Sequence, residues 1–498
     1  MILSIPKVNA SFYDFLSAPI HHSFLLTHIE TREIEEIISG LKLGKACGPY
    51  SIPVSVLKTL NIVISKPLQI LYNLSFASGV VPDAFKIARV IPIFKSGSHF
   101  SVSNFRPISL LSIFNQILER LMYNRLVKFL DKYYLLYTGQ FGFRAGHSTE
   151  HALLLIIDKI QRAIEDGLYS CGIFLDLSKA FDTVDHNILL TKLHSYGIRG
   201  IVHNWFVSYL SNRQQFVSLG HVSSSYQPVS CGVPQGSVLG PLLFLLYIND
   251  FNNCSRLFDI HLFADDANLL LTDPSLESLQ VNINSELDKV NLWLCANKLS
   301  LNIDKTNFVI FHPPQKKIPN SISIKINKRP IKQKSNIKYL GVVVDSHLNW
   351  KEHISQLSKK ISRGIGILSK LRHYVPQKIL VQLYYSLIYP FLIYGILVWG
   401  NTYKTTLKPL VLLQKRAVRI ITFSPFIAHT SPIFKQLYIL KFGDIIYLCN
   451  SIFMYKFKFN LLPSLFDNFF SSIKTRHNYT TRLASRSSYS LPSARTNY

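Results

Sequence analysis

The chain has 498 residues, 48% of them apolar with 33 Phe and 25 Tyr, so it can bury several cores and is excluded from the disordered and fibrous classes. A formal net charge of +26 points to a polyanionic partner. Six cysteines (Cys47, Cys171, Cys231, Cys254, Cys295, Cys449) form no C-x-x-C pair, which argues against a zinc knuckle and a disulfide framework and fits a reducing compartment.

Along the chain, Met1-Ile2-Leu3-Ser4-Ile5-Pro6 lacks a charged region followed by a long apolar run, so no signal peptide is indicated. An amphipathic helix is predicted around Thr31 to Leu43, followed by the turn-rich Lys45-Ala46-Cys47-Gly48-Pro49-Tyr50-Ser51-Ile52-Pro53. Ile173-Phe174-Leu175-Asp176 reads as a buried strand whose acid falls where the chain turns away. In Gly232-Val233-Pro234-Gln235-Gly236-Ser237-Val238-Leu239-Gly240-Pro241, a bare backbone and an amide open a helical stretch, and glycine there permits close approach of a ligand. His261 to Leu270 reads as two short strands joined by a tight turn, with Asp265 and Asp266 at its polar tip.

Ile379 to Tyr403 contains no charged residue, and Val381 to Gly400 is long enough to span a bilayer. Pro390, Gln382 and Ser386 interrupt it, and a buried helical pair is the expectation, with a membrane anchor as the alternative. No Asp or Glu lies between Glu352 and Asp444, where thirteen Lys and Arg fall among Tyr and Trp. That bias suits a helical surface tracking a nucleic-acid backbone, or simply a solvated basic face. The Ser-rich segment from Ser471, with Lys474, Arg476, Arg482, Arg486 and Arg495, reads as disordered.

The acids carry the chemistry. Mutual repulsion raises the proton affinity of adjacent carboxylates and costs stability unless a cation intervenes. Mg²⁺ suits them because it takes oxygen ligands and keeps sites open for phosphates. Two-metal phosphoryl transfer uses ions roughly 3.5–4 Å apart, with carboxylates from neighbouring strands. Asp176 with Asp265 meets that need if their strands adjoin, with Asp266 as an accessory ligand. An Asp-Asp pair by itself is also what a solvated turn contains.

The neighbouring words match as well. From about residue 35 to about 440 the chain resembles the reverse transcriptase of a non-LTR (LINE-type) retrotransposon. Phe263-Ala264-Asp265-Asp266 is similar to that family's catalytic box, and Phe174 to His186 to its first metal-binding motif. Gly232 to Pro241 resembles the segment lining its nucleotide and template pocket, and Asn104-Phe105-Arg106-Pro107-Ile108-Ser109-Leu110-Leu111 and Gly142 to Thr149 resemble its finger motifs. Leu301-Asn302-Ile303-Asp304-Lys305-Thr306 is similar to a palm motif, Tyr339-Leu340-Gly341-Val342 to the hairpin gripping the primer end, and Leu412 to Ile421 to a following helix. The family has Asp-Gly where Tyr50-Ser51 stand, so template contacts there are not carried over.

The resemblance implies an α+β right-hand polymerase with fingers, a ferredoxin-like palm and a helical thumb. Its expected segments are an N-terminal extension at 1–80, fingers and palm at 81–345, a thumb at 346–425 and a C-terminal region at 426–498. It implies RNA-directed DNA synthesis, with Asp176, Asp265 and Asp266 holding two Mg²⁺ ions. Lys95 and Arg106 would bind the triphosphate, Phe181 would screen the sugar, Gln235 and Gly236 would line the pocket, and Lys305 would protonate pyrophosphate. The expected partners are an RNA template, a DNA primer and dNTPs, without stable membrane association. Nuclear residence is the expectation from target-primed synthesis, with a cytoplasmic ribonucleoprotein as the alternative. The family's endonuclease has no room ahead of Lys45 and is expected to be lacking. An RNA-binding protein that has lost polymerisation is the rival from another class.

Overall fold

The computed structural model describes residues 8–44, 46–316, 318 and 322–470. The basic segment from Ser471 and the segment Met1 to Pro6 therefore lie outside the described residues. The chain is mixed α/β and divides into two compact units. The first joins the chain up to Phe143 with Asp176–Arg256 and Glu286–Asn302; the second joins Arg144–Leu175, Leu257–Ser285 and the described chain from Ile303.

The first unit is organised on the strands Ile87–Phe94 and Phe105–Leu111, paired antiparallel from Ala88↔Leu111 to Phe94↔Phe105. The first of these also runs parallel to Arg213–Leu219, but only as far as Val90↔Val217. Lys95 N donates to Asn104 O (2.9 Å), so Ile93↔Arg106 is a bonded pair and Pro92↔Pro107 a non-bonded one. Two prolines therefore sit inside a ladder at the positions where a missing N–H costs it nothing. The same alternation turns Ser109 N outward from this pairing. Around the sheet lie the helices Asn61–Ser78, Ile113–Lys132, His186–Ser195, Gly200–Leu210 and Gly240–Tyr247, with Tyr72, Trp205, Phe206 and Phe244 fully buried. The N-terminal amphipathic helix spans Thr31–Gly40 and buries Ile34 and Ile38; the chain leaves helical geometry at Leu41, and Leu43 is exposed.

The second unit holds a five-stranded sheet in the order Lys332–Gln333, Asn307–Phe311, Tyr169–Asp176, Asp266–Asp273, Asp259–Phe263. Its central strand is buried from Ser170 to Leu175, a continuous rather than alternating run, as a strand covered on both faces requires. A hairpin, Asn336–Tyr339 with Val342–Asp345, follows, and beyond it the described residues form helices, from Lys351–Leu371 to Phe442–Lys458.

The uncharged stretch forms three short helices rather than a pair: Gln377–Leu387, Tyr389–Ile393 and Ile396–Trp399. Pro390 falls in the first turn of the second, where its missing N–H is tolerated, and Gly395 at φ +64° opens the third. Leu380, Tyr384, Ile388, Leu392, Ile396 and Trp399 are all buried, in one cluster with Leu410, Val418 and Ile445. Among the described residues no helix is long and apolar enough to cross a membrane.

Candidate active site and nucleic-acid surface

Asp176 is the last residue of the central strand and is half-buried. The chain beyond it is tied down: Asn302 N donates to Asp176 O (2.8 Å) and Ser178 N to Ser300 O (2.8 Å). In the second unit, Phe263↔Asp266 is the last pair of the hairpin, which leaves Ala264 and Asp265 as a two-residue loop. Ala264 takes φ +55°, a conformation that costs an L-residue about 1–2 kcal/mol. Asp265 thus stands at the tip, half-buried, and Asp266, exposed, begins the next strand. Asp266–Asp273 is the neighbour of Tyr169–Asp176 in the sheet, and Asn268 Nδ2 reaches Ile173 O (3.4 Å). Burial pushes the Tyr339 phenol well above its usual range, and the charge of Asp266 adds to the shift.

The three aspartates present only oxygen donors, which suits a hard divalent ion. Among the described residues, no group of three or more His, Cys, Asp or Glu is arranged to hold a metal ion. Lys305, exposed, lies in the turn just before Asn307–Phe311, the strand that pairs with the central one through Phe174↔Asn307.

In the first unit the glycine-rich segment is a loop, and its helix begins at Gly240 rather than at Gln235-Gly236. Backbone bonds anchor it throughout. Gly232 N donates to Val184 O (2.8 Å), Val233 N to Phe181 O (2.8 Å), and Ser109 N to Gln235 O (2.7 Å). Gly236 has φ +115°, and a Cβ there would stand 2.6 Å from Ser109 O, so only glycine fits. Gln235 Nε2 donates to Asp182 Oδ1 (2.9 Å), leaving its carbonyl oxygen and second N–H for a ligand. Burial raises the proton affinity of Asp182, opposed by Gln235 and Lys179. Phe181, half-buried, stacks on Phe244 (4.3 Å between centroids, 27°) and meets the edge of Phe143 (6.1 Å, 89°).

Lys95 and Arg106 are both exposed on the two-stranded ribbon. Arg106 faces Ile93 across the pair, and Lys95 lies two residues beyond Ile93, so the period of two sets both cations on one face.

The motifs assign no role to four residues of this region, although Asp182 and Phe143 lie within the stretches 174–186 and 142–149. Asp182 is the partner of Gln235, Phe143 and Phe244 bracket Phe181, and Glu119 is fully buried behind the loop. Glu119 accepts from Tyr209 OH (2.7 Å), Asn115 Nδ2 (2.9 Å) and Val238 N (2.6 Å). The burial of Glu119 on its long helix leaves no mark in a single sequence.

A groove of about 960 Å³ lies along the helices Lys351–Leu371 and Lys404–Ile421. Lys351, Ser355, Lys359, Ser362 and Arg363 line it from the first helix and Thr405 and Thr406 from the second, with no acid among the lining residues. Cations and hydroxyls at one-turn spacing form the donor set that a phosphate backbone accepts.

Comparison with known proteins agrees with the motif reading. Residues 93–344 match the family model described as reverse transcriptase (RNA-dependent DNA polymerase), a span containing all nine predicted site residues. The RNA-directed DNA polymerase from mobile element jockey of Drosophila melanogaster is 29% identical over 442 residues, covering 86% of this chain and 48% of the relative. A probable RNA-directed DNA polymerase from transposon BS of the same species is 29% identical over 85% of this chain and 48% of its own length. A Pol polyprotein from the type-1 retrotransposable element R2 of Popillia japonica is 29% identical over 42% of this chain and 29% of its own. The chain spans about half the length of the first two of these curated relatives. With half of its residues matched by one family model, in the span that carries the paired acids and the glycine-rich loop, the chain belongs to the reverse transcriptase family.

Proposed function

We propose that this chain is an RNA-directed DNA polymerase of a non-LTR retrotransposon, extending a DNA 3′-hydroxyl on an RNA template with release of pyrophosphate. The observation that carries this reading is the adjacency of Tyr169–Asp176 and Asp266–Asp273 in one sheet, within the family-matched span. Asp176, Asp265 and Asp266 would hold two Mg²⁺ ions. When bound, such ions activate the attacking hydroxyl and offset charge on the phosphates. Residues 81–345 serve as fingers and palm on this reading, and 346–425 as the thumb.

The chain's own residues supply the rest. Lys95 and Arg106, on one face of the ribbon, grip the triphosphate, Arg106 being capable of a bidentate contact. Gln235, oriented by Asp182, offers an acceptor and a donor to nucleotide or template, and the bare Cα of Gly236 allows close approach. The Phe181 ring excludes a 2′-hydroxyl and so selects deoxynucleotides. Lys305, exposed on its turn, donates a proton to the leaving pyrophosphate. The groove on Lys351–Leu371 carries the template–primer backbone.

The test is primer extension with an RNA template, a DNA primer, dNTPs and Mg²⁺, beside Asp265→Asn. The variant's rate should fall at least about a thousandfold, the equivalent of several kcal/mol of lost charge stabilisation. Undiminished extension by the variant would place the chemistry elsewhere.

A further inference from the structure

Resting on the reading of Phe181 as the sugar-excluding ring, we infer that Phe244 is the residue that makes this gate rigid, with Phe143 closing its second side. A steric gate discriminates only if the ring cannot retreat when a 2′-hydroxyl presses on it. Phe181 is held at its backbone because Val233 N donates to its carbonyl oxygen (2.8 Å). That fixes the residue but not the rotation of its side chain.

The ring is held by what stands behind it. Phe244 lies nearly parallel to it, centroids 4.3 Å apart, and is itself fully buried. Its neighbours on the helix Gly240–Tyr247 (Leu242, Leu243, Leu245 and Leu246) are buried too, so the backing ring has no room to move. Phe143 meets Phe181 edge-on at 6.1 Å, and its own backbone sits at φ +55° in the turn after Gln140. Offset-stacked and edge-to-face contacts are the two favoured aromatic geometries, and Phe181 makes one of each.

The glycine-rich loop then has a second task. One end of it clamps the Phe181 carbonyl through Val233, and the other end launches the helix that carries Phe244. The pocket-lining loop and the sugar gate are thereby one mechanical unit. Phe244 touches no substrate in this arrangement and acts as a positioning residue for selectivity.

The experiment is single-nucleotide incorporation, comparing kcat/KM for a dNTP and the matching rNTP, in the full chain and in Phe181→Val, Phe244→Met and Phe143→Leu. Met conserves core volume while removing the flat face behind the ring. Phe244→Met should lower the deoxy-to-ribo ratio about two- to tenfold, the worth of one aromatic contact, mostly by raising rNTP use. Phe143→Leu, at a half-exposed position where folding is not at stake, should shift the ratio in the same direction by less. Equal losses for both nucleotides, with the ratio unchanged in both variants, would reduce the two rings to structural filler and overturn the inference. Phe181→Val separates the premises: if it leaves the ratio at the parent's value, the gate reading fails, whereas relaxation there without relaxation in Phe244→Met and Phe143→Leu refutes only the backing role.

Discussion

Replacing Glu119 by Gln tests whether the glycine-rich loop is held from behind. All three hydrogen bonds at the carboxylate come from donors: Tyr209 OH and Asn115 Nδ2 onto Oε1, Val238 N onto Oε2. An amide keeps one acceptor oxygen. If it serves Tyr209 and Asn115, the new NH₂ confronts Val238 N–H; flipped, it confronts the other two. At least one charge-assisted bond is lost, worth about 1.5–3 kcal/mol, and a buried donor is stranded at about 1–3 kcal/mol more. Arg213, buried beside this network with Nη1 on Tyr209 O (3.0 Å), also loses its counter-charge. The total is about 3–5 kcal/mol, the range for breaking a buried ionic network. Urea unfolding of parent and variant reads the stability term. Single-nucleotide kinetics read the functional one: Val238 is three residues past Gln235, so the dNTP KM should rise more than kcat falls. A loss below about 1 kcal/mol with an unchanged KM would refute the reasoning, since it would show that solvent or rearrangement satisfies those donors.

Three further outcomes follow from the same structure. Lys359→Gln with Arg363→Gln should weaken binding of an RNA–DNA hybrid and reduce the slope of log K against log salt by about two, which a salt titration by fluorescence anisotropy reads; an unchanged slope removes the groove from the interface. Burial, aided by Lys360, lowers His353 from 6.5 to about 4, and its Nδ1 accepts from Val343 N (3.3 Å), a role only the neutral ring can fill. A depressed folded-state pKa means that this stability is complete above pH 6.5 and is lost as pH falls toward 4, by about 3 kcal/mol, while a His353→Gln variant followed by urea midpoint across pH should show a shallower acid slope. Lys192, its ammonium bonded to Asp250 (2.7 Å) with both side chains buried, should cost about 3–5 kcal/mol as Lys192→Met, and the double variant with Asp250→Leu should recover much of that in thermal unfolding.

What sequence reading recovered and what it missed divide along a physical line. The strand ending at Asp176 was legible because an unbroken apolar run stops at an acid, and the structure ends its strand there. The hairpin at Asp265 was legible because apolar residues bracket a polar tip, and its two-residue loop falls on Ala264 and Asp265. Tyr339 to Val342 likewise turns as a hairpin. Errors came at boundaries. The helix from Thr31 stops at Gly40, and the uncharged stretch breaks at Ile388 and Gly395 because a proline and a positive-φ glycine interrupt it. Hydropathy alone does not separate a buried broken helix from a membrane span; backbone geometry does.

The partners of the candidate site were out of reach for a different reason. Gln235 meets Asp182, 53 residues away, and Val238 meets Glu119, 119 residues away. No local period reports such pairs, because each forms only once the ribbon, the helix Ile113–Lys132 and the glycine-rich loop have packed. Ser109 illustrates the coupling: its outward N–H follows from the register that puts Pro92 opposite Pro107, and that N–H then bonds Gln235 O (2.7 Å). A one-residue slip in the ribbon would turn Ser109 N inward and detach the loop that carries Gln235 and Gly236. The paired prolines therefore do more than tolerate the ladder. By making a one-residue shift lose hydrogen bonds, they disfavour the slip that would detach the loop carrying Gln235 and Gly236.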